Sequence, residues 1–250
     1  MSDSVKQVSK NLREVSLSPR QLPLGISSLP KPTFADFVEG NDQQVNSGHV
    51  IRLLREFLSD PDETVIYLSG DRAFGKTHLL MAVVAEKKGG QAQYLPLQEL
   101  VAKPPEILEG LEKTPVICLD DIDAIAANER WEQALFHLFN RCQTNQSKWV
   151  VAGRQTPLNL PIELADLRSR LAWGITVKLP RLADEQSLRV VDQQAQHFGL
   201  KLSNEVKQFI IKRAPRDLSS LTELLYRLEQ ASLQEQKPIS IRFIKNQMGW

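Results

Sequence analysis

Little in this chain of 250 residues points toward disulfide, metal-cluster or membrane chemistry. Two cysteines, Cys118 and Cys142, make no framework and indicate a reducing compartment, and neither reads as a nucleophile. Four histidines, His49, His78, His137 and His197, are scattered without metal-ligand spacing and read as packing or surface residues. The apolar stretch Leu79 to Ala85 is far too short to span a bilayer, and the N-terminus lacks the apolar centre of a signal peptide. A cytoplasmic protein with no membrane partner is expected. Neither sign of charge dominates: 31 Lys and Arg face 30 Asp and Glu, for a net charge of +1. That balance supplies no broad field for nucleic acid, so no direct sequence-specific DNA binding is expected, and any DNA contact would be local or made through a partner. No internal repeat is visible. With 42% hydrophobic and 24% charged residues, the chain can bury one substantial core and a smaller second unit.

What is present is a phosphate-binding signature. Gly70-Asp71-Arg72-Ala73-Phe74-Gly75-Lys76-Thr77 fits the pattern Gly-x-x-x-x-Gly-Lys-Thr. The glycines let backbone N–H groups turn toward phosphate oxygens, Lys76 reaches the β and γ positions, and the Thr77 hydroxyl is placed to hold Mg²⁺. The preceding Thr64 to Ser69 reads as a buried strand. Thr77 to Ala85 reads as a helix whose N-terminus faces the phosphates, so Gly70 through His78 are candidate nucleotide contacts. Pro115-Val116-Ile117-Cys118-Leu119-Asp120-Asp121 is an apolar run ending in two carboxylates, as a parallel strand delivers acid to the sheet edge where nucleotides bind. Asp120 is then a candidate for Mg²⁺, and Asp121 for the neighbourhood of the water that attacks the γ-phosphate.

Along the chain, residues 1–32 are rich in Ser, Pro and charge and read as a flexible arm. Within it, Gln21-Leu22-Pro23-Leu24-Gly25-Ile26 places a polar hook and aliphatic side chains in a hydrophilic tail, as short peptides that fill pockets on a partner do. Residues 33–179 alternate strands with helices, the signature of an α/β unit with a parallel sheet. The expected strands are Thr64 to Ser69, Ala92 to Leu97, Val116 to Asp120, Trp149 to Ala152 and Ile175 to Leu179. Trp131, Leu135, Leu138 and Phe139 recur at helical spacing and are expected in the core. Residues 180–250 read as a small all-helical domain, with helices over Asp184 to Phe198, Ser203 to Arg213, Asp217 to Gln234 and Ser240 to Met248. Leu218, Leu221, Leu224, Leu225 and Leu228 form its clearest apolar face.

An α/β phosphate-loop domain followed by a helical lid resembles the AAA+ ATPases. Phe34-Ala35-Asp36-Phe37-Val38-Glu39-Gly40, the Asp120-Asp121-Ile122 run and Leu167-Arg168-Ser169-Arg170-Leu171-Ala172-Trp173-Gly174 resemble segments of the bacterial replication initiator DnaA. No helix-turn-helix domain for DNA is expected after the lid, and the similarity is greatest to the DnaA-homologous regulators that carry a clamp-binding peptide and one AAA+ module. It covers about residues 20 to 250. The resemblance implies a regulator that holds ADP, is loaded through Gln21 to Ile26 on the DNA polymerase III sliding clamp (β subunit), and stimulates hydrolysis of ATP on DnaA. It assigns Arg170 as an arginine finger acting in trans, Arg216 as a second-sensor contact to phosphate, and Phe34, Phe37 and Val38 to base recognition. Arg168 is expected to be structural or interfacial. Where the family's first sensor carries an acidic residue, this chain reads Gly153-Arg154-Gln155, so weak or absent turnover is expected. A helicase loader or clamp-loader-like ATPase and a passive clamp-tethering scaffold are the alternatives, and a homodimer remains open.

Overall fold

Two of the strands consist entirely of buried residues and a third is buried after its first residue, and that places them at the centre of a parallel sheet. The computed structural model describes residues 32–38, 49–214 and 218–250. The Gln21 to Ile26 peptide, Glu39, Gly40 and Arg216 lie outside the described residues. In chain order the elements are α1 (His49–Ser59), β1 (Val65–Ser69), α2 (Lys76–Glu86), β2 (Ala92–Pro96), α3 (Leu97–Leu100), β3 (Val116–Asp120), α4 (Glu129–Thr144), β4 (Lys148–Gly153), α5 (Ala165–Ala172) and β5 (Ile175–Lys178). Then come α6 (Asp184–His197), α7 (Asn204–Arg213), α8 (Leu218–Glu235) and α9 (Ile241–Met248). The strand order is β2-β3-β4-β1-β5, and every pairing is parallel. The outer strands β2 and β5 are only partly buried, as edges are.

Alternation along the central strands builds two cores on opposite faces. Val65, Tyr67, Ile117, Leu119, Trp149 and Val151 meet Trp131, Leu135, Leu138 and Phe139 of α4 and Leu167 and Leu171 of α5 on one face. Ile66, Leu68, Cys118, Val150 and Ala152 meet Val50, Leu54 and Phe57 of α1 and Leu79, Leu80 and Val83 of α2 on the other. Each such aliphatic side chain, fully withdrawn from water, contributes about 1.5–3 kcal/mol. The aromatic stripe of α4 is therefore core, as its spacing predicts, and Asn128 starts that helix by accepting the Trp131 N–H.

The C-terminal helices form a third core around Val191, Ile210, Leu221, Leu224, Leu225, Leu228, Phe243 and Ile244. Ser203 and Ser240 cap α7 and α9 by accepting the N–H groups of Val206 and Phe243. The expected elements are found with small differences at their ends. Leu97, expected as the last strand residue, instead opens α3, while β4 runs from Lys148 to Gly153. The long β2 to β3 connection also holds short 3-10 turns at Pro105–Leu108 and Leu111–Lys113, which have no periodic signal because each is a single turn. Among the described residues no helix is long and apolar enough to cross a membrane.

Candidate nucleotide-binding site

The loop between β1 and α2 has the backbone its glycines allow. Gly75 adopts φ +84° and Ala73 φ 66°, both left-handed, and α2 begins at Lys76 immediately after. Space constrains the same positions. A Cβ on Gly75 would lie 2.6 Å from the Phe37 ring, and one on Gly70 would lie 2.9 Å from Phe74. The Gly70 N–H donates to the Gly153 carbonyl at 3.2 Å, which ties the loop to the end of β4.

Lys76, Thr77, Asp120 and Asp121 are brought together. The Lys76 ammonium donates to the carbonyls of Gly70 and Asp71 at 2.6 and 2.8 Å. Burial pulls its pKa down, and the Asp120, Asp121 and Asp123 carboxylates oppose that shift. The Thr77 hydroxyl donates to Asp120 Oδ2 at 2.6 Å and the Tyr94 hydroxyl to the same oxygen at 2.9 Å, while Asp120 Oδ1 accepts the Asp121 N–H at 3.0 Å. Asp120 is 2% exposed, so these donors offset the cost of its burial. Asp121 sits at φ 52°, an uncommon conformation for a residue with a side chain, and its pKa is raised by burial and by Asp120.

The segment before α1 closes one side of this loop. Asp36 accepts both the N–H and the hydroxyl of Thr33, at 3.2 and 2.6 Å. His78 Nε2 lies 2.8 Å from the Thr33 carbonyl, and since a carbonyl only accepts, Nε2 carries the proton. The Phe37 ring lies against Gly75 and 5.4 Å from the His78 ring. Phe34 is buried under the Arg55 guanidinium and Val38 is half-buried. Asp36 also reaches His197 of α6 at 3.3 Å, which joins this segment to the helical domain.

Between the loop and the helical domain is a cavity of about 260 Å³. Asp71, Arg72, Ala73 and Phe74 form one wall, and aliphatic side chains that include Val190, Val191 and Ile210 form the other. Those aliphatic residues were not singled out from the sequence, because helical periodicity marks them only as apolar and cannot divide cavity wall from core. Tyr94 was missed as well, since nothing local shows that β2 places its hydroxyl on Asp120.

Arg170 is elsewhere. It lies on α5, which packs with α4 on the opposite face of the sheet from α2. Its guanidinium is half-buried, 4.1 Å from the centroid of the Trp173 ring and 5.8 Å from that of Phe139. Arg168 instead turns back to donate to the Ile162 carbonyl at 3.1 Å, which makes it structural. The start of α5 is fixed by Glu132 of α4, a buried carboxylate that accepts the N–H groups of Ala127, Glu163 and Leu164 at 3.0, 3.2 and 2.8 Å. Its exit is fixed by Gly174, where a Cβ would meet the Val65 carbonyl oxygen at 1.8 Å.

Comparison with known proteins places this geometry in context. Residues 29–178 match the family described as the bacterial DnaA ATPase domain, and residues 184–248 match that described as the lid domain of Hda. An uncharacterized protein of Haemophilus influenzae is 36% identical over 229 residues, covering 90% of this chain and 97% of that protein. Domain III of the Thermotoga maritima replication initiation protein DnaA is similar in structure, with a TM-score of 0.68, 21% identity, and 88% of this chain and 98% of that chain covered. AMPPCP-bound DnaA from Aquifex aeolicus gives a TM-score of 0.60 at 21% identity, over 82% of this chain and 67% of that chain.

Proposed function

The chain belongs to the bacterial DnaA ATPase-domain family with an Hda-type lid, and from that premise we propose that it is a regulatory AAA+ adaptor acting on DnaA. In this reading it holds a nucleotide, ADP in its working state, and is tethered to the sliding clamp by Gln21 to Ile26. Arg170 enters the ATP site of a neighbouring DnaA and promotes hydrolysis there. The initiator is left in its diphosphate form, and re-initiation is prevented.

The observation that carries this reading is the placement of Arg170. A guanidinium on the sheet face opposite its own phosphate helix is poorly placed to serve its own nucleotide, yet it lies beside the exposed Trp173 on a face a neighbour can reach. A planar cation inserted across an interface neutralises charge developing on a transferred phosphoryl group, and fingers supplied in trans are worth about 10³ to 10⁵ in rate. Lysine would lack the planar fork.

The resident nucleotide fits the residues that face the loop. Gly70 to Thr77 supply N–H donors and an ammonium for phosphates, and the cavity under the helical domain has the aliphatic lining that suits a flat base. Phe37, Val38 and Phe34 are assigned to the base side, His78 to support of that segment, and Arg216 to the phosphates. A Mg²⁺ ion fits the oxygen donors of Thr77 and Asp120, which already lie within hydrogen-bond distance of one another. When bound, it would neutralise charge between the outer phosphates. Asp121 is assigned to the water side of the terminal phosphate.

The test is hydrolysis of DnaA-bound ATP in the presence of clamp. The protein should accelerate it, Arg170→Ala should remove the acceleration, and clamp retention of that variant should be unchanged. Full acceleration by Arg170→Ala would overturn the reading. Replacing Gln21, Leu22 and Leu24 by Ala should abolish retention on immobilised clamp. The alternative of an ATP-driven loader draws support from the paired Thr77 and Asp120, and robust hydrolysis by the purified protein alone would favour it.

A further inference from the structure

Helix α6 is tied to the α/β domain at both ends. Before its start, the Leu179 N–H donates to the Ser69 carbonyl at 2.8 Å, so the chain enters the helical domain from beside the residue that precedes Gly70. At the other end His197, the last residue of the helix, places Nε2 3.3 Å from Asp36 Oδ1. A helix of 14 residues spans about 21 Å, so the two ties are well separated. Between them, Ser187, Val190 and Val191 of α6 form part of the cavity wall that faces Asp71 to Phe74. Val191 and Ala195 also belong to the core of the helical domain, which makes α6 part of that domain rather than of the sheet.

The Asp36 end of the second tie is itself held. Its Oδ2 accepts the Thr33 N–H and hydroxyl, the Thr33 carbonyl accepts from His78 of α2, and the adjacent Phe37 ring lies against Gly75. A series of contacts thus runs from the helical domain through Asp36 to the phosphate loop. Neither side chain stands free in water, His197 being 31% and Asp36 20% exposed. Other ion pairs of the helical domain, Lys207 with Asp192, Arg189 with Glu185 and Arg227 with Glu223, stay within it. The His197 pair instead crosses between the two domains that wall the cavity. The first tie lies on continuous chain and cannot part; the second can.

We infer that Asp36 and His197 form a clasp that holds the helical domain over the cavity and slows the passage of nucleotide, so that a bound diphosphate is kept for longer. This rests on the nucleotide-binding reading above. With the chain continuous from Leu179 into α6, the helical domain swings away at the His197 end, and that swing separates imidazole from carboxylate. Both are positioning residues, since they act through the placement of the α6 wall and of the segment on the loop. The contact parts for entry as it does for exit. It therefore lowers both rates, and the dissociation constant moves less than either.

The experiment is stopped-flow measurement of the binding and release of a fluorescent, ribose-labelled ADP by the full-length protein, with Mg²⁺ and at constant pH. His197→Ala should speed release by about twofold to fivefold, the range of a partly exposed ion pair, and should speed binding as well. Asp36→Asn, whose amide oxygen can still serve Thr33, should do the same, and the double variant should be no faster than either single one. His197→Lys keeps a cation at the helix end and should release no faster than the parent; with Asp36→Asn present it should confer no advantage. Parent rates for His197→Ala, or additive effects of the two substitutions, would overturn the clasp. So would faster release with unchanged binding, the mark of a residue that supports bound nucleotide directly. Lys76→Ala separates this from failure of the site, since it should weaken the affinity itself. If the parent does not bind the labelled ADP, or Lys76→Ala binds it as the parent does, the nucleotide reading and this inference fall together; a Lys76 effect without a His197 effect removes this inference alone.

Discussion

The Arg170 guanidinium rests on the indole of Trp173, its Cζ 4.1 Å from the ring centroid. The indole belongs to the C-cap residue of the same helix and is 60% exposed, an uncommon position for so large an apolar side chain. A face-on cation–π contact at an exposed site contributes about 0.5–1 kcal/mol. Trp173→Ala should accordingly reduce stimulated hydrolysis of DnaA-bound ATP by about twofold to fivefold, with Trp173→Phe between it and the parent. Melting temperature and clamp retention should not move. A Trp173→Ala protein with full stimulation would show that Arg170 needs no platform.

Glu132 bears on the same helix from the other end. It is one of the few carboxylates buried in the structure, and its partners are all backbone N–H groups, two of them at the start of α5. Removing the acceptor would strand those donors, at about 1–3 kcal/mol for each one left buried. Glu132→Ala should lower stability by about 3 kcal/mol or more, read as the midpoint of urea unfolding at constant m-value. Glu132→Gln keeps one acceptor oxygen but turns an amide toward a remaining N–H, so it should lose less. An unchanged midpoint for Glu132→Ala would mean that water satisfies those groups.

Much of this arrangement was legible in the sequence, and the reason is local. The loop, the buried strands and the stripe of α4 are each specified by neighbours within a turn or a strand, so Gly70 to Thr77, Val116 to Asp120 and Trp131 to Phe139 fall where their spacing predicts. Asp120 at the end of β3 meets Thr77 because parallel pairing aligns the carboxyl ends of the strands. Contacts between residues far apart in the chain were not legible. Tyr94 on Asp120, Glu132 beneath Leu164, and His197 on Asp36 each join elements whose relative rotation no periodicity encodes. Arg154 was visible only as a departure from the acidic residue expected there; the hold of Asp123 on its backbone N–H has no local signal.

His78 makes stability depend on pH with a definite sign. Burial pushes its pKa down, against the pull of the Thr33 carbonyl and the Asp36 carboxylate. The unfolded chain therefore takes up a proton before the folded protein does. Stability is complete above the ordinary histidine value of about 6.5 and is lost as pH falls through the lowered folded value. The slope contributed by this one residue can reach about 1.4 kcal/mol per pH unit within that window. Melting temperatures measured from about pH 7.5 to about pH 5.5 should fall more steeply for the parent than for His78→Gln. Parallel curves would place the pH response in other groups.

Asp121 reverses that sign and separates stability from function. Its pKa is raised by burial and by Asp120, so the folded protein holds the proton more tightly than the unfolded chain does. Between the ordinary aspartate value and the raised one, stability falls as pH rises, and above that window the ionised side chain carries the whole penalty. Asn has the same shape, bears no charge and tolerates the left-handed backbone at φ 52°. Asp121→Asn should thus stabilise nucleotide-free protein at neutral pH, though solvent screening of this half-exposed group keeps the gain small. At about 2–4 °C for each kcal/mol in a chain of this size, the gain is measurable in a thermal melt. It should disappear in acid, where Asp121 is protonated in both states. A lower melting temperature for Asp121→Asn at neutral pH would mean that the charge is held by interactions stronger than its repulsion from Asp120, with the Arg154 guanidinium and the Lys76 ammonium the groups able to supply them.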